Sequence, residues 1–219
     1  MMRLMTRRGW LATGLSAIGA AMLAFVLTAP ATPSRSLREF DADRLADLEL
    51  RMWQAYYAKE NVTLFRLLVT TLREQYHYSW VTATVEGFHL ARAAATFGDA
   101  RSDYDRVLPD LERAYTTAAR RHRAGFDPAA VARAELRWWV ARRTPGQWDS
   151  ERVGRLIAEE YALLYEAPVG DMLRAGLLRA EAGALRDAQA PQPDWPTIGR
   201  LLRDSYRALH ASLWTASAD

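Results

Sequence analysis

The sequence predicts an all-α domain, an irregular bundle of about seven antiparallel helices preceded by one N-terminal transmembrane or signal helix. Three observations carry that reading. Apolar residues recur at three- and four-residue spacing through most of the chain. Alternating apolar–polar runs and Asn-Gly or Asp-Gly hairpin turns are missing. Asp and Ser starts and Gly and Pro stops punctuate the periodic stretches as helix ends require. The division that follows is residues 1–29 as the N-terminal helix, 30–40 as a linker and 41–219 as the helical body.

Trp10 to Ala29 carries no charge. Twenty helical residues rise about 30 Å, the thickness of a bilayer's hydrocarbon core. Arg7 and Arg8 stand directly before this run, and no basic residue follows until Arg35. The positive-inside bias then places the first residues in the cytoplasm and the body outside. Two outcomes stay open. The segment 10–29 is retained as a membrane anchor, or it is removed as a signal at the small-residue cluster Ala29-Pro30-Ala31. "TRRGWLA" at 6–12 resembles the twin-arginine export motif, Ser/Thr-Arg-Arg-x-Phe-Leu-Lys, with Trp10 in place of Phe and Ala12 in place of Lys. Either way the expected address is the bacterial envelope: the inner membrane, single-pass, with the C-terminal domain facing the periplasm, or the soluble periplasm after cleavage. Residues 30–40, "PATPSRSLREF", read as a short extended linker.

The body then proceeds helix by helix. The first starts at Asp41 or Asp43, carries Leu45, Leu48, Met52, Trp53 and Tyr56 at helical spacing, and runs toward Tyr76 with a break near Asn61. The second runs from Ser79 to Phe97 and stops at Gly98. The third covers Ser102 to Arg123, with Pro109 kinking or dividing it. Asp127-Pro128 is an N-cap followed by proline in the first turn, and opens a fourth helix that reaches Arg143. A fifth spans Asp149 to Glu166, with Pro168 and Gly170 as breakers. A sixth spans Asp171 to Ala190. After the loop "PQPDWP" a seventh covers Thr197 to Trp214.

Lys and Arg number 29 against 26 Asp and Glu. Arg3, Arg7 and Arg8 make up the difference, so the body is balanced and its signs are interspersed. That excludes an extended phosphate-binding surface, and no nucleic-acid partner is expected. Cysteine is absent, which excludes thiolate nucleophiles and thiolate metal sites. Serine-hydrolase elbows, P-loops, dinucleotide glycine patterns and His-Glu-x-x-His are also absent, and no cofactor is called for.

Two sets of residues stand out. Glu86 and His89 form a Glu-x-x-His, which places both side chains on one helical face. Glu49 and Glu160 are carboxylates on apolar stripes. If the four converge, Glu49, Glu86, His89 and Glu160 make a metal or ligand site; the structural alternative is Arg–Glu pairs that lock helices together. Glu86, His89 and Arg92 are spaced by three along an otherwise apolar helix. They read as its wet face, or as a polar cluster inside the bundle. The second set is aromatic. The chain holds eight Trp, nine Tyr and six Phe. The doublets Tyr56-Tyr57 and Trp138-Trp139 cannot send both rings into one core, so an exposed aromatic interaction patch is expected there. The functional expectation is a membrane-anchored, outward-facing interaction or accessory module of the bacterial cell envelope, attached through residues 10–29 and serving a protein partner. The alternative is an exported metal- or small-ligand-binding helical protein, and a possible enzyme, centred on Glu86 and His89.

Overall fold

The computed structural model describes residues 36–215, together with 23–24 and 26–29. The expected span at 10–29 therefore lies mostly outside the described residues. Among the described residues no helix is long and apolar enough to cross a membrane, and none forms a strand.

From residue 42 on the chain is helix after helix. The elements are α1 (Ala42–Tyr57), α2 (Asn61–Glu74), α3 (Trp80–Asp99), a 3-10 turn (Tyr104–Val107), α4 (Leu108–His122), α5 (Pro128–Ala141), α6 (Ser150–Tyr165), α7 (Val169–Ala188) and α8 (Trp195–Thr215). The starts follow the expected caps. The Asp41 side chain accepts from the Asp43 and Arg44 amides, Ser79 from Thr82, Asp127 from Ala129 and Asp149 from Arg152. The long first helix is divided: Lys59 takes a φ of 62°, which ends α1 and turns the chain into α2. Pro109 sits in the first turn of α4, where its missing N–H costs nothing, so it divides the third predicted helix and does not kink it. Gly170 is no breaker. It lies in the first turn of α7, behind Pro168 at the N-cap.

Each helix packs on its neighbours in sequence, and α8 returns to α1, so the eight helices close into a ring. The odd-numbered helices finish at one end of it. Tyr57, Phe97, Arg142, Arg143 and Asp187, from the C-terminal ends of α1, α3, α5 and α7, line a single cleft. The even-numbered helices finish at the other end. There Phe40 packs on Tyr165 and His210, and Gln75 accepts the Asp41 amide. The Arg121 guanidinium reaches the His77 carbonyl at the same end.

The largest apolar core lies between α6, α7 and α8 and includes Val153, Ile157, Met172, Ile198, Leu202 and Leu209, all essentially inaccessible. Leu37 and Phe40 belong to it, 7% and 6% exposed, and the Arg38 guanidinium donates to the Tyr165 carbonyl at 2.7 Å. The expected linker thus stops short of Leu37. Two apolar residues three apart seat the chain directly on the body, which burial of their side chains favours by roughly 2 kcal/mol each.

The α6–α7 contact depends on two glycines. A Cβ on Gly176 would lie 2.2 Å from the Gly154 carbonyl oxygen, and one on Gly154 would lie 2.8 Å from the Leu177 Cα. Backbone meets backbone at this crossing, so neither neighbour can yield by turning a side chain. Gly176→Ala is expected to lower the urea-unfolding free energy by about 1–3 kcal/mol or more. Gly170→Ala, which meets open space, is expected to be neutral or slightly stabilising. Equal midpoints for the two variants would contradict the close crossing.

Candidate functional site

The ring encloses a cleft of about 390 Å³. Its walls carry six aromatic rings, Trp53, Tyr56, Tyr57, Phe97, Trp138 and Trp139. All four aromatic residues singled out from the sequence are among them. They line a concavity and do not form a flat exposed patch, because Trp138 is buried and the other three are half-buried. The helix ends converge here, and within the tryptophan doublet Trp138 is the more deeply buried ring.

The floor is an ion pair. The Arg179 Nε donates to Glu49 Oε1 at 3.0 Å, and a second guanidinium nitrogen reaches the same oxygen. Trp53 Nε1 adds a third donor to that oxygen at 3.1 Å. The guanidinium also lies 4.8 Å from the Trp138 ring centre. Burial opposes the charge on Arg179, but Glu49 and its other acidic neighbours outweigh it and raise its pKa. Glu49 Oε2 is buried and has no hydrogen-bond partner.

Behind the floor runs a second polar chain. Trp138 Nε1 donates to Glu160 Oε2 at 2.5 Å. Tyr115 Oη lies 3.2 Å from Glu160 Oε1 and 2.8 Å from Glu135 Oε2. A phenol has one proton and can donate to only one of the two carboxyls. The other contact requires a carboxylic acid donating to the phenol oxygen. Glu135 fits that role: burial, then the charge of Glu160, push its pKa up to about 8. Glu160 is also raised by burial, against the opposing influence of Arg179, Trp138 and Tyr115. Burial of both carboxyls thus favours a carboxyl proton held within the trio, and Glu135 is the group raised to about 8.

The mouth is cationic. Arg142 donates to Asp187 Oδ2 at 2.7 Å and to Tyr57 Oη at 3.2 Å. Arg186 donates to Asp187 Oδ1 at 3.0 Å and stacks on Tyr57, 3.1 Å from the ring centre. Arg143 donates to the Phe97 carbonyl at 2.5 Å and to Tyr56 Oη at 3.1 Å, and stacks on Phe97.

The four carboxylate and histidine residues proposed from the sequence do not come together. Glu49 and Glu160 flank Arg179 and Trp138 in the ring interior. Glu86 and His89 sit between α3 and α4 and part company there. Thr117 Oγ1 donates to Glu86 Oε1 at 3.0 Å, while His89 Nδ1 lies 2.6 Å from Asp110 Oδ1. Arg92 also grips Asp110, with Nε 2.8 Å from Oδ2. Burial pushes the Asp110 pKa up, but the bonds from Arg92 and His89 outweigh it and hold it low. No group of three or more His, Cys, Asp or Glu able to hold a metal occurs among the described residues.

The stripe on α3 is not that helix's wet face. Glu86 is buried and His89 half-buried, whereas Val81, Val85 and Phe88 stand exposed at 46%, 38% and 53%. Glu86 and His89 face α4 while Arg92 stays exposed, and α3 carries apolar residues both inward, at Ala83, Ala93 and Phe97, and outward, at Val81, Val85 and Phe88.

Sequence reasoning missed Arg142, Arg143, Arg179, Arg186, Glu135 and Tyr115. One signal was available. In "WWVARR" Trp138 and Trp139 stand four residues before Arg142 and Arg143, which puts each ring and guanidinium on one helical stripe. No family model, curated protein or solved structure matches the chain.

Two outcomes are expected. Arg179→Met strands the buried Glu49 carboxylate and should cost about 3–5 kcal/mol in urea unfolding; Glu49→Gln added to it should restore part of the loss. Glu135 carries a folded-state pKa above its ordinary 4.5. Its stabilising contribution is full below about pH 4.5 and is lost as pH rises through about 8. The stability difference between wild type and Glu135→Gln should therefore shrink or reverse over that window. A pH-independent difference would place the proton elsewhere.

Proposed function

We propose that the protein is an outward-facing recognition module of the bacterial envelope, tethered through its N-terminal segment, that binds a small ligand in the cleft of the helix ring. The observation that carries this is the cleft itself, about 390 Å³ walled by six aromatic rings. Ligand pockets fall in this size range and combine an apolar wall with a few convergent polar groups. Its lining includes unpartnered polar atoms, Glu49 Oε2 and Arg186 Nε. No serine, cysteine or histidine lines it, which favours binding over nucleophilic catalysis.

The tether fits this reading. Leu37 and Phe40 dock at the end of the ring where the even-numbered helices finish. The cleft opens at the opposite end, away from the membrane.

A second reading has its own support. The outward apolar face of α3, with Val81, Val85 and Phe88, favours a protein partner docking there, as an interaction module requires.

Native mass spectrometry of the full chain extracted from the envelope of an expressing bacterium tests the first reading. A bound small molecule is expected on the wild type and should be missing from Ala94→Trp, which fills the cleft. Bare polypeptide in both would remove the reading. Protease added to spheroplasts should digest the body; protection would reverse the topology.

A further inference from the structure

We infer that the ligand of the cleft is an organic anion, a carboxylate or a phosphate ester on a flat apolar body, with its acid group held at the mouth by Arg143 and Arg186. This rests on the reading of the cleft as a ligand site and adds the ligand's chemical class.

The charges at the mouth do not balance. Three guanidiniums, Arg142, Arg143 and Arg186, meet one carboxylate, and Asp187 is already shared between two of them. The donors of Arg143 go to neutral acceptors, the Phe97 and Ala100 carbonyls and Tyr56 Oη. Those carbonyls stand at the end of α3, where a helix presents only about half a negative charge. They hold the guanidinium in place without cancelling it. Asp187 and Arg143 are exposed, whereas Arg179 and Glu49 at the floor are 15% and 5% exposed at the side chain. The surplus positive charge is therefore at the opening and the balanced pair is at the floor.

The guanidiniums are also fixed in the manner that anion recognition needs. Arg186 lies flat on Tyr57, Arg143 lies on Phe97, and Arg142 sits 5.6 Å from the Trp53 ring centre. A stacked guanidinium keeps its edge N–H groups free for a carboxylate or phosphate and loses little entropy on binding one. The Arg186 Nε is buried without an acceptor, so that part of its charge is not answered by the protein. Behind the mouth, Trp53, Trp138 and Trp139 offer apolar faces to a flat body. At the floor Glu49 Oε2, on a side chain more than nine-tenths buried, is an acceptor without a donor. A ligand hydroxyl that reached the floor would supply the missing donor.

Isothermal titration of the full chain in lipid nanodiscs, referenced to empty nanodiscs, tests the assignment with 2-naphthoate, 6-hydroxy-2-naphthoate, 2-naphthyl phosphate and the neutral 2-naphthylmethanol. The acids are expected to bind roughly tenfold or more tightly than the alcohol, with the hydroxynaphthoate tightest among the carboxylates. Arg143→Gln and Arg186→Gln should each reduce that preference severalfold while leaving the melting temperature within a few degrees. A stronger response to the phosphate or to the carboxylates assigns the source of the anion, and either supports the inference. Equal affinity for the alcohol and the acids would overturn the anion assignment and leave the cleft as a ligand site. An acid preference unchanged in both variants would overturn the role of the mouth arginines. No heat from any of the four would overturn both readings.

Discussion

The ion pair between Arg179 and Glu49 is the constraint on which the rest of the interior depends. It joins α1 to α7 across the ring, between residues 130 positions apart. Helices that touch only their neighbours leave a middle to be filled, and apolar side chains alone would draw the ring shut. A buried pair resists that collapse. Its partners must stay in register with their donors, because a displaced carboxylate in this setting loses several kcal/mol. Trp53 and Trp138 are fixed by the same pair, one as donor to Glu49 and one as the face beneath Arg179. The floor of the cleft is thus polar and held in position by these contacts.

The trio of Glu135, Tyr115 and Glu160 continues the same logic behind it. One phenolic proton cannot satisfy two carboxylates, so the arrangement needs a carboxyl proton, and burial supplies the reason to keep it. The consequence is a lining that is less acidic than its composition suggests. Glu135 reaches the cleft wall as a neutral acid, and Glu160 is turned toward Trp138 and away from the cavity. The arginines then set the sign of the potential inside.

The helix starts were legible in the sequence because caps are local. Asp41, Ser79, Asp127 and Asp149 each act within three residues of where they stand. The break at Lys59 was legible in outline and Pro109 in position, but neither the positive φ nor the first-turn placement is encoded by periodicity. The orientation of α3 was not legible. A helix with an apolar side and a polar stripe turns its polar stripe outward unless something inside answers it, and here Thr117 and Asp110 do, from a helix the stripe cannot announce. The linker was misjudged at its end for the same reason: Leu37 and Phe40 look like isolated apolar residues until α6 and α8 provide the groove. At the site, the aromatic doublets were visible because two adjacent large rings on a helix point in different directions, although Trp138 and Trp139 both end packed on the same core. The pairing of Arg179 with Glu49 was not, since any of many arginines could have answered a buried glutamate.

The alternation of helix ends fixes where the cleft lies relative to the point at which the chain enters the body. An antiparallel ring gathers the C-termini of α1, α3, α5 and α7 at one end, and a helix C-terminus attracts cations. Arg142, Arg143 and Arg186 stand near such termini where the odd-numbered helices finish, as Arg73, Arg120 and Arg121 do at the ends of α2 and α4. The chain enters the body at the other end, because α1 must start opposite to where it stops. The entry of the chain at Phe40 and the cleft lined by Tyr57, Phe97, Arg142 and Asp187 thus lie at opposite ends of the ring. The even number of helices places the end of α8 beside the entry point, so Phe40 meets His210 and the two ends of the described body lie together.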